Sequence, residues 1–115
     1  MKIASQLGGG VAGFREICGA ASGGVVSLGL LLGTSGEEDV EEFKLKRDSA
    51  RELVNGYLQE FADCWGSVKC GYLLEMDEGK RTPEGALRPE GPPEKLCDEY
   101  VDWSVRKIAE IRQTL

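Results

Sequence analysis

The sequence predicts a single all-α domain, and three observations carry that prediction. Two stretches repeat apolar residues at three- and four-residue intervals. The first holds Ala50, Leu53, Val54, Tyr57, Leu58, Phe61, Ala62 and Trp65; the second holds Leu96, Cys97, Tyr100, Val101, Val105, Ile108, Ala109 and Ile111. No segment alternates apolar and polar residues as a half-buried strand would. At 115 residues and 41% hydrophobic content, the chain has the size and composition of one folded core. The expected architecture is a small bundle of about three main helices plus a short helix, with residues 75–93 as a long Gly/Pro-rich surface loop.

Taken in order, the first helix comes from the uncharged stretch Ile17 to Gly36. Gly, Ser and Thr dilute it heavily, and only Val25 to Leu32 is strongly apolar, so a buried helix is expected and not a membrane span. Gly19 with Gly23, and Ala20 with Gly24, give the small-xxx-small spacing that allows close packing. The second helix opens at Glu37-Glu38-Asp39, whose charges suit a helix N-terminus. It closes at Gly66. Ser49 with Glu52 has the form of a capping box, which places an expected break near Lys46–Asp48. Ser67 is positioned to cap a short helix carrying Val68, Cys70, Leu73 and Leu74. Gly79, Gly85 and Gly91 alternating with Pro83, Pro89, Pro92 and Pro93 mark the loop. A last amphipathic helix is expected from Glu94 to Gln113.

Composition removes whole classes of chemistry. The chain contains no histidine, which excludes Ser-His-Asp and Cys-His catalysis and histidine-ligated zinc or haem. With 14 Lys+Arg against 20 Asp+Glu, electrostatic capture of nucleic acid or of an anionic membrane is not expected. The glycine loop has no following Gly-Lys-Ser/Thr, so it is not a phosphate loop. Glu37, Glu38, Asp39, Glu41 and Glu42 read as a solvated helix face without calcium-loop spacing. What remains is thiol, carboxylate and backbone chemistry.

The four cysteines are Cys18, Cys64, Cys70 and Cys97, and none forms a CxxC pair. The start of the chain has no secretory h-region, so a reducing cytoplasm is the expected compartment. Cys18 follows Gly8-Gly9-Gly10 and Gly13 and opens the run Cys18-Gly19-Ala20-Ala21-Ser22-Gly23. Glycine costs a helix interior about 1 kcal/mol relative to alanine, so this density demands a close backbone approach or amides aimed at a target. A thiol at a helix start is expected to have a lowered pKa. The same residue also fits a small buried hydrophobe.

The stretch GGGVAGFREICGAASGGVVSLGLLLG resembles the C-GCAxxG-C-C family of putative redox-active proteins, whose hallmark is a CGAxxG motif among four cysteines. The stretch ARELVNGYLQEFADCWGSVKCGYLL and the cysteine in PPEKLCDEYV are similar to the same family. The resemblance implies that Cys18 is the motif cysteine, Cys70 the third and Cys97 the last, with Gly9, Gly10, Gly19, Ala20 and Gly23 as the motif backbone. The family's further cysteine lies on a helix upstream of the glycine loop, where this chain reads Met1-Lys2-Ile3-Ala4-Ser5. The resemblance is therefore to a short version without that helix, and Cys64 does not fill the missing position. Self-association is the simplest cover for the apolar surface such a version exposes.

The function expected is cysteine-based redox chemistry with an unidentified redox partner. Cys18 is its nucleophile, and Cys70 or Cys97 its resolving partner. An alternative uses Cys18, Cys64, Cys70 and Cys97 as ligands of a metal or iron–sulfur cluster. The third is a helical interaction domain whose cysteines are core residues. Cys97, on the apolar stripe with Tyr100 and Val101, leans toward that last reading.

Overall fold

The computed structural model describes residues 5–78 and 96–115. They form four helices: α1 (Gly19–Leu32), α2 (Val40–Trp65), α3 (Cys70–Asp77) and α4 (Cys97–Thr114). Among the described residues there is no strand, only an isolated antiparallel bridge between Ile17 and Lys69. The all-α prediction is correct, with three longer helices and one short one.

Local chemistry sets the ends. Asp39 caps α2 by accepting from the Glu42 amide at 2.8 Å. Just upstream, the Glu38 carboxylate takes the Ser35 and Gly36 amides at 2.8 and 3.0 Å. At the other end Gly66 adopts φ 97, a left-handed cap that glycine enters without penalty, and its amide returns to the Ala62 carbonyl. The expected break near Lys46–Asp48 does not occur, since α2 runs unbroken for 26 residues. Helix continues on both sides of Ser49, and a capping signal has no orphan amides to satisfy in a helix interior. Ser67 accepts from the Lys69 amide at 3.0 Å, so it shapes the turn before α3.

The expected loop begins later than its composition suggested. Glu75, Met76 and Asp77 are the last turn of α3, and the part from 79 to 93 lies outside the described residues. Likewise α4 begins at Cys97, with Leu96 as its buried cap residue.

The core is an aromatic seam between α2 and α4. Tyr57, Phe61 and Trp65 recur every four residues on one face of α2. They meet Tyr100 and Trp103, with Trp65–Tyr100 centroids at 4.9 Å and Phe61–Trp103 at 5.4 Å, both edge to face. Cys18, Ala21, Leu73 and Leu96 complete the same cluster. Each large apolar side chain buried here contributes about 1.5–3 kcal/mol.

α1 lies against this seam and packs more extensively on α4 than on α2. Its inner side is Ala21, Gly24 and Leu28. The fully buried Tyr57 passes beside Gly24, and its hydroxyl hydrogen donates toward Ala20 O, Ala21 O and Ser104 Oγ at 3.3, 3.2 and 3.1 Å. One phenol thus joins α1, α2 and α4. The prediction of a buried first helix holds on that side only, because Leu30 is 87% exposed and Val26 and Leu31 are also open. Among the described residues no helix is long and apolar enough to cross a membrane.

Candidate functional site

The glycine loop is the foundation of the site. Gly9, Gly10 and Gly13 have φ of 65, 70 and 78, and Val11, Ala12 and Arg15 share that positive region. A Cβ on Gly10 would stand 2.4 Å from the Glu16 nitrogen and one on Gly9 2.9 Å from Gly13 Cα. A Cβ on Gly19 would meet the Leu7 carbonyl at 3.0 Å. Between the two explanations open for this glycine density, close backbone approach is the one found at these positions. The loop folds on itself and onto the first turn of α1. Gly23 has open space around it and borders a shallow apolar groove between α1 and α4, lined also by Val101 and Val105.

The chain leaving the loop pairs with the chain entering α3. Cys18 N donates to Val68 O at 2.7 Å, Cys70 N to Glu16 O at 2.6 Å and Gly71 N to Arg15 O at 3.1 Å. Across the Ile17–Lys69 bridge, Cys18 and Cys70 are therefore diagonal neighbours, a relation that puts side chains on one face. Cys18 is the N-cap residue of α1, and Cys70 and Cys97 are the first residues of α3 and α4. Three helix starts, each bearing a sulfur, come near one another, since Cys97 bears on Cys18 and both bear on Cys70. Cys64 belongs to another place. It sits late in α2 against the core, where the charge that reaches it is Lys107.

The electrostatics reverse the lowered pKa expected of Cys18. Burial pushes its thiol above the ordinary range. The Ala21 and Ala20 amides counter that rise in part, although neither makes a full side-chain cap, and nearby Cys97 and Asp77 add to it. The helix-start effect is present, but desolvation outweighs it, because Cys18 is only 8% exposed. Cys70 is also pushed up, first by burial, then by Cys18 and Cys97, with Arg15 opposing and Asp77 adding. The basic neighbour of Cys70 is thus Arg15 and not the adjacent Lys69, whose ammonium lies over the Tyr72 ring at 5.3 Å. Cys97 is exposed. Its expected burial is overturned because Cys97 shares an i, i+4 row with Val101 and Val105, which are exposed, while the row of Leu96, Tyr100 and Ser104 is buried.

Sequence reasoning missed Asp77. It is 3% exposed at the end of α3, and it accepts from the Leu96 amide at 3.1 Å and from the Tyr100 hydroxyl. Its position in a Gly/Pro-rich stretch concealed it; the available signal was its spacing from Leu73, one turn back on a helix. The four cysteines are free thiols. Among the described residues no three of His, Cys, Asp and Glu are arranged to hold a metal ion. Cys97 lies near enough to bear on Cys18, and Cys18 and Cys97 near enough to bear on Cys70.

A family model described as "Putative redox-active protein (C_GCAxxG_C_C)" matches residues 1–111. The chain belongs to that family. No curated protein and no solved structure shows significant similarity to it. In this member of the C_GCAxxG_C_C family, the motif run Cys18-Gly19-Ala20-Ala21-Ser22-Gly23 builds the start of α1 beneath the glycine loop.

Proposed function

We propose that this protein carries out thiol–disulfide exchange through Cys97 and Cys18, with Cys70 flanking the pair. The convergence of three cysteine-bearing helix starts is the observation that supports the reading. Exposure divides the roles. Cys97 is open to a partner, while Cys18 is buried at the start of α1, the helix that packs most on α4. Cys18 is accordingly the internal sulfur and not the first nucleophile.

The reaction balances with a disulfide-bearing peptide or small molecule as oxidant. The Cys97 thiolate attacks one sulfur of that disulfide, forming a mixed disulfide and releasing one partner thiolate. The Cys18 sulfur then attacks Cys97 Sγ, and the second partner sulfur leaves. Two electrons pass from the protein to the partner, and the protons of Cys97 and Cys18 end on the two released thiols. The reverse sequence reduces the protein. A reducing cytoplasm supplies dithiol partners of this class. The groove beside Gly23, with exposed Val101 and Val105, is the surface we assign to self-association.

Thiol counting on oxidised and on reduced protein tests the reading, with elemental analysis of the same sample. Two thiols should disappear on oxidation and return on reduction, and peptide mapping should join Cys97 to Cys18. Four thiols that survive oxidation and react only after unfolding would overturn it. Stoichiometric iron or zinc bound by the cysteines would overturn it in favour of a metal centre.

A further inference from the structure

The outer side of α4 carries one exposed row, Cys97, Val101, Val105 and Ala109, spaced four residues apart. Val101 and Val105, 51% and 63% exposed, are its apolar centre. They also form one wall of the groove whose other wall is the Gly19, Gly23 and Ser27 edge of α1. A Cβ on Gly19 would meet Leu7 O and one on Gly24 would meet Tyr57 Oη, so the missing side chains of these two are used inside the molecule. Gly23 differs. It lines the groove, yet a Cβ there would meet nothing within 4 Å. The close approach that would account for a glycine at this helical position has to come from outside the chain.

Charge beside the exposed row is divided along the helix. Asp98 and Asp102 stand in its first half, Arg106 and Arg112 in its second. A two-fold axis crossing α4 between Val101 and Val105 lays a second α4 antiparallel to the first, with Val101 facing Val105 of the other copy. The same rotation brings Asp98 within about one helical turn of Arg112 of the second copy, and Asp102 within about one turn of its Arg106. A parallel copy would set like charges opposite each other instead. Asp102 and Arg106 already pair within one helix at 3.0 Å. Asp98 and Arg112 lie at opposite ends of α4, about 21 Å apart along its axis, too far to pair within one copy. The face is complementary to itself, which selects a second copy of this chain as its occupant.

We propose that this protein forms a two-fold dimer in which α4 packs antiparallel on α4 of the second copy. The Val101–Val105 row of each copy sits in the groove of the other, and Asp98 pairs with Arg112 across the axis. The proposal rests on the assignment of that groove to self-association and adds the direction of the pairing and its ion pairs. Cys97 stands at the end of the row, beyond the groove lining, and stays open to a disulfide partner. The two Cys97 residues of a dimer are about 18 Å apart along the paired helices, beyond disulfide reach, so each copy exchanges with its own Cys18.

Sedimentation equilibrium of the reduced protein tests this, and should show a monomer–dimer equilibrium in the micromolar range. Val105→Glu should weaken association at least about tenfold. Gly23→Leu is the variant with room inside its own chain and a better helix former in place of glycine, so thermal stability should hold while association falls. Arg112→Asp should weaken association about three- to tenfold, and adding Asp98→Arg to the same chain should restore it by exchanging the pair. A parent that stays monomeric overturns the assignment of the groove and the proposal with it, and leaves the groove to a different partner. A dimer that tolerates both Val105→Glu and Gly23→Leu uses another surface. A dimer that the second charge exchange does not restore is not antiparallel. Either of these last results overturns the proposal while self-association stands. All of the measurements use reduced protein without an oxidant, so they are separate from the test of thiol–disulfide exchange.

Discussion

Replacing Gly24 with alanine sets two opposed effects against each other inside α1. Alanine improves an interior helical position by about 1 kcal/mol over glycine. Here, however, the new Cβ would lie 2.1 Å from Tyr57 Oη and 2.4 Å from its Cζ. The phenol cannot swing aside cheaply, because Tyr57 is 1% exposed and its ring packs 6.0 Å from Trp103. Overpacking of this kind costs about 1–3 kcal/mol. Displacing the hydroxyl from Ala20, Ala21 and Ser104 forfeits a further 1 kcal/mol or so for each bond not remade. The net expectation is a loss of about 1–4 kcal/mol, and each kcal/mol corresponds to about 4 °C in Tm for a domain of this size. Gly29→Ala is the internal control, since a Cβ there meets nothing within 4 Å. It should stabilise by about 0.5–1 kcal/mol. Urea unfolding of both variants beside the parent measures the difference. If Gly24→Ala proves as stable as Gly29→Ala, Tyr57 does not occupy the space above Gly24 and the reasoning fails.

Other outcomes follow from the same geometry. Cys64→Ser should leave disulfide formation unaffected, because Cys64 lies against the core with Lys107 as its charged neighbour, whereas Cys97→Ser should abolish the mixed disulfide; mass mapping reads both. Cys18 and Cys70 are raised in the folded chain, so the unfolded chain loses its thiol protons first. Their contribution to stability is full below the unfolded thiol pKa of about 8.5 and disappears as pH rises through the folded values, so urea midpoints should fall over that alkaline window. Glu38 carries the opposite sign, because the Ser35 and Gly36 amides and Lys46 hold its pKa down to about 2. The stability advantage over Glu38→Gln should be present above about pH 4.5 and be lost as the pH falls toward 2, read by thermal melts across acid pH.

The helices were legible where periodicity and caps agreed. The Tyr57, Phe61 and Trp65 face of α2 and its Gly66 terminator could be read directly, and both are found. Agreement weakened where a local signal competed with a continuing helix, as at Ser49. The cysteine motif was also legible as a helix start, but the protonation of Cys18 was not. That depends on how much solvent the loop and α4 remove, a long-range property absent from any window around residue 18. Cys97 shows the same limit. The apolar stripe of α4 spans two i, i+4 rows, and only the row of Leu96 and Tyr100 turns inward, which leaves Cys97 with Val101 and Val105 outside. Asp77 was hidden because its partners, Leu96 and Tyr100, lie beyond the Gly/Pro-rich stretch.

The antiparallel bridge between Ile17 and Lys69 has a practical consequence for experiments on the sulfurs. The two shortest bonds of this crossing come from the amides of Cys18 and Cys70 themselves, reaching Val68 O and Glu16 O. Main-chain donors do not depend on the side chain attached to them, so serine or alanine at either position keeps the crossing while removing the chemistry. Proline, with no amide hydrogen to give, would undo it. Position and reactivity are thus separable variables at these two residues: the backbone carries the first and the sulfur alone carries the second.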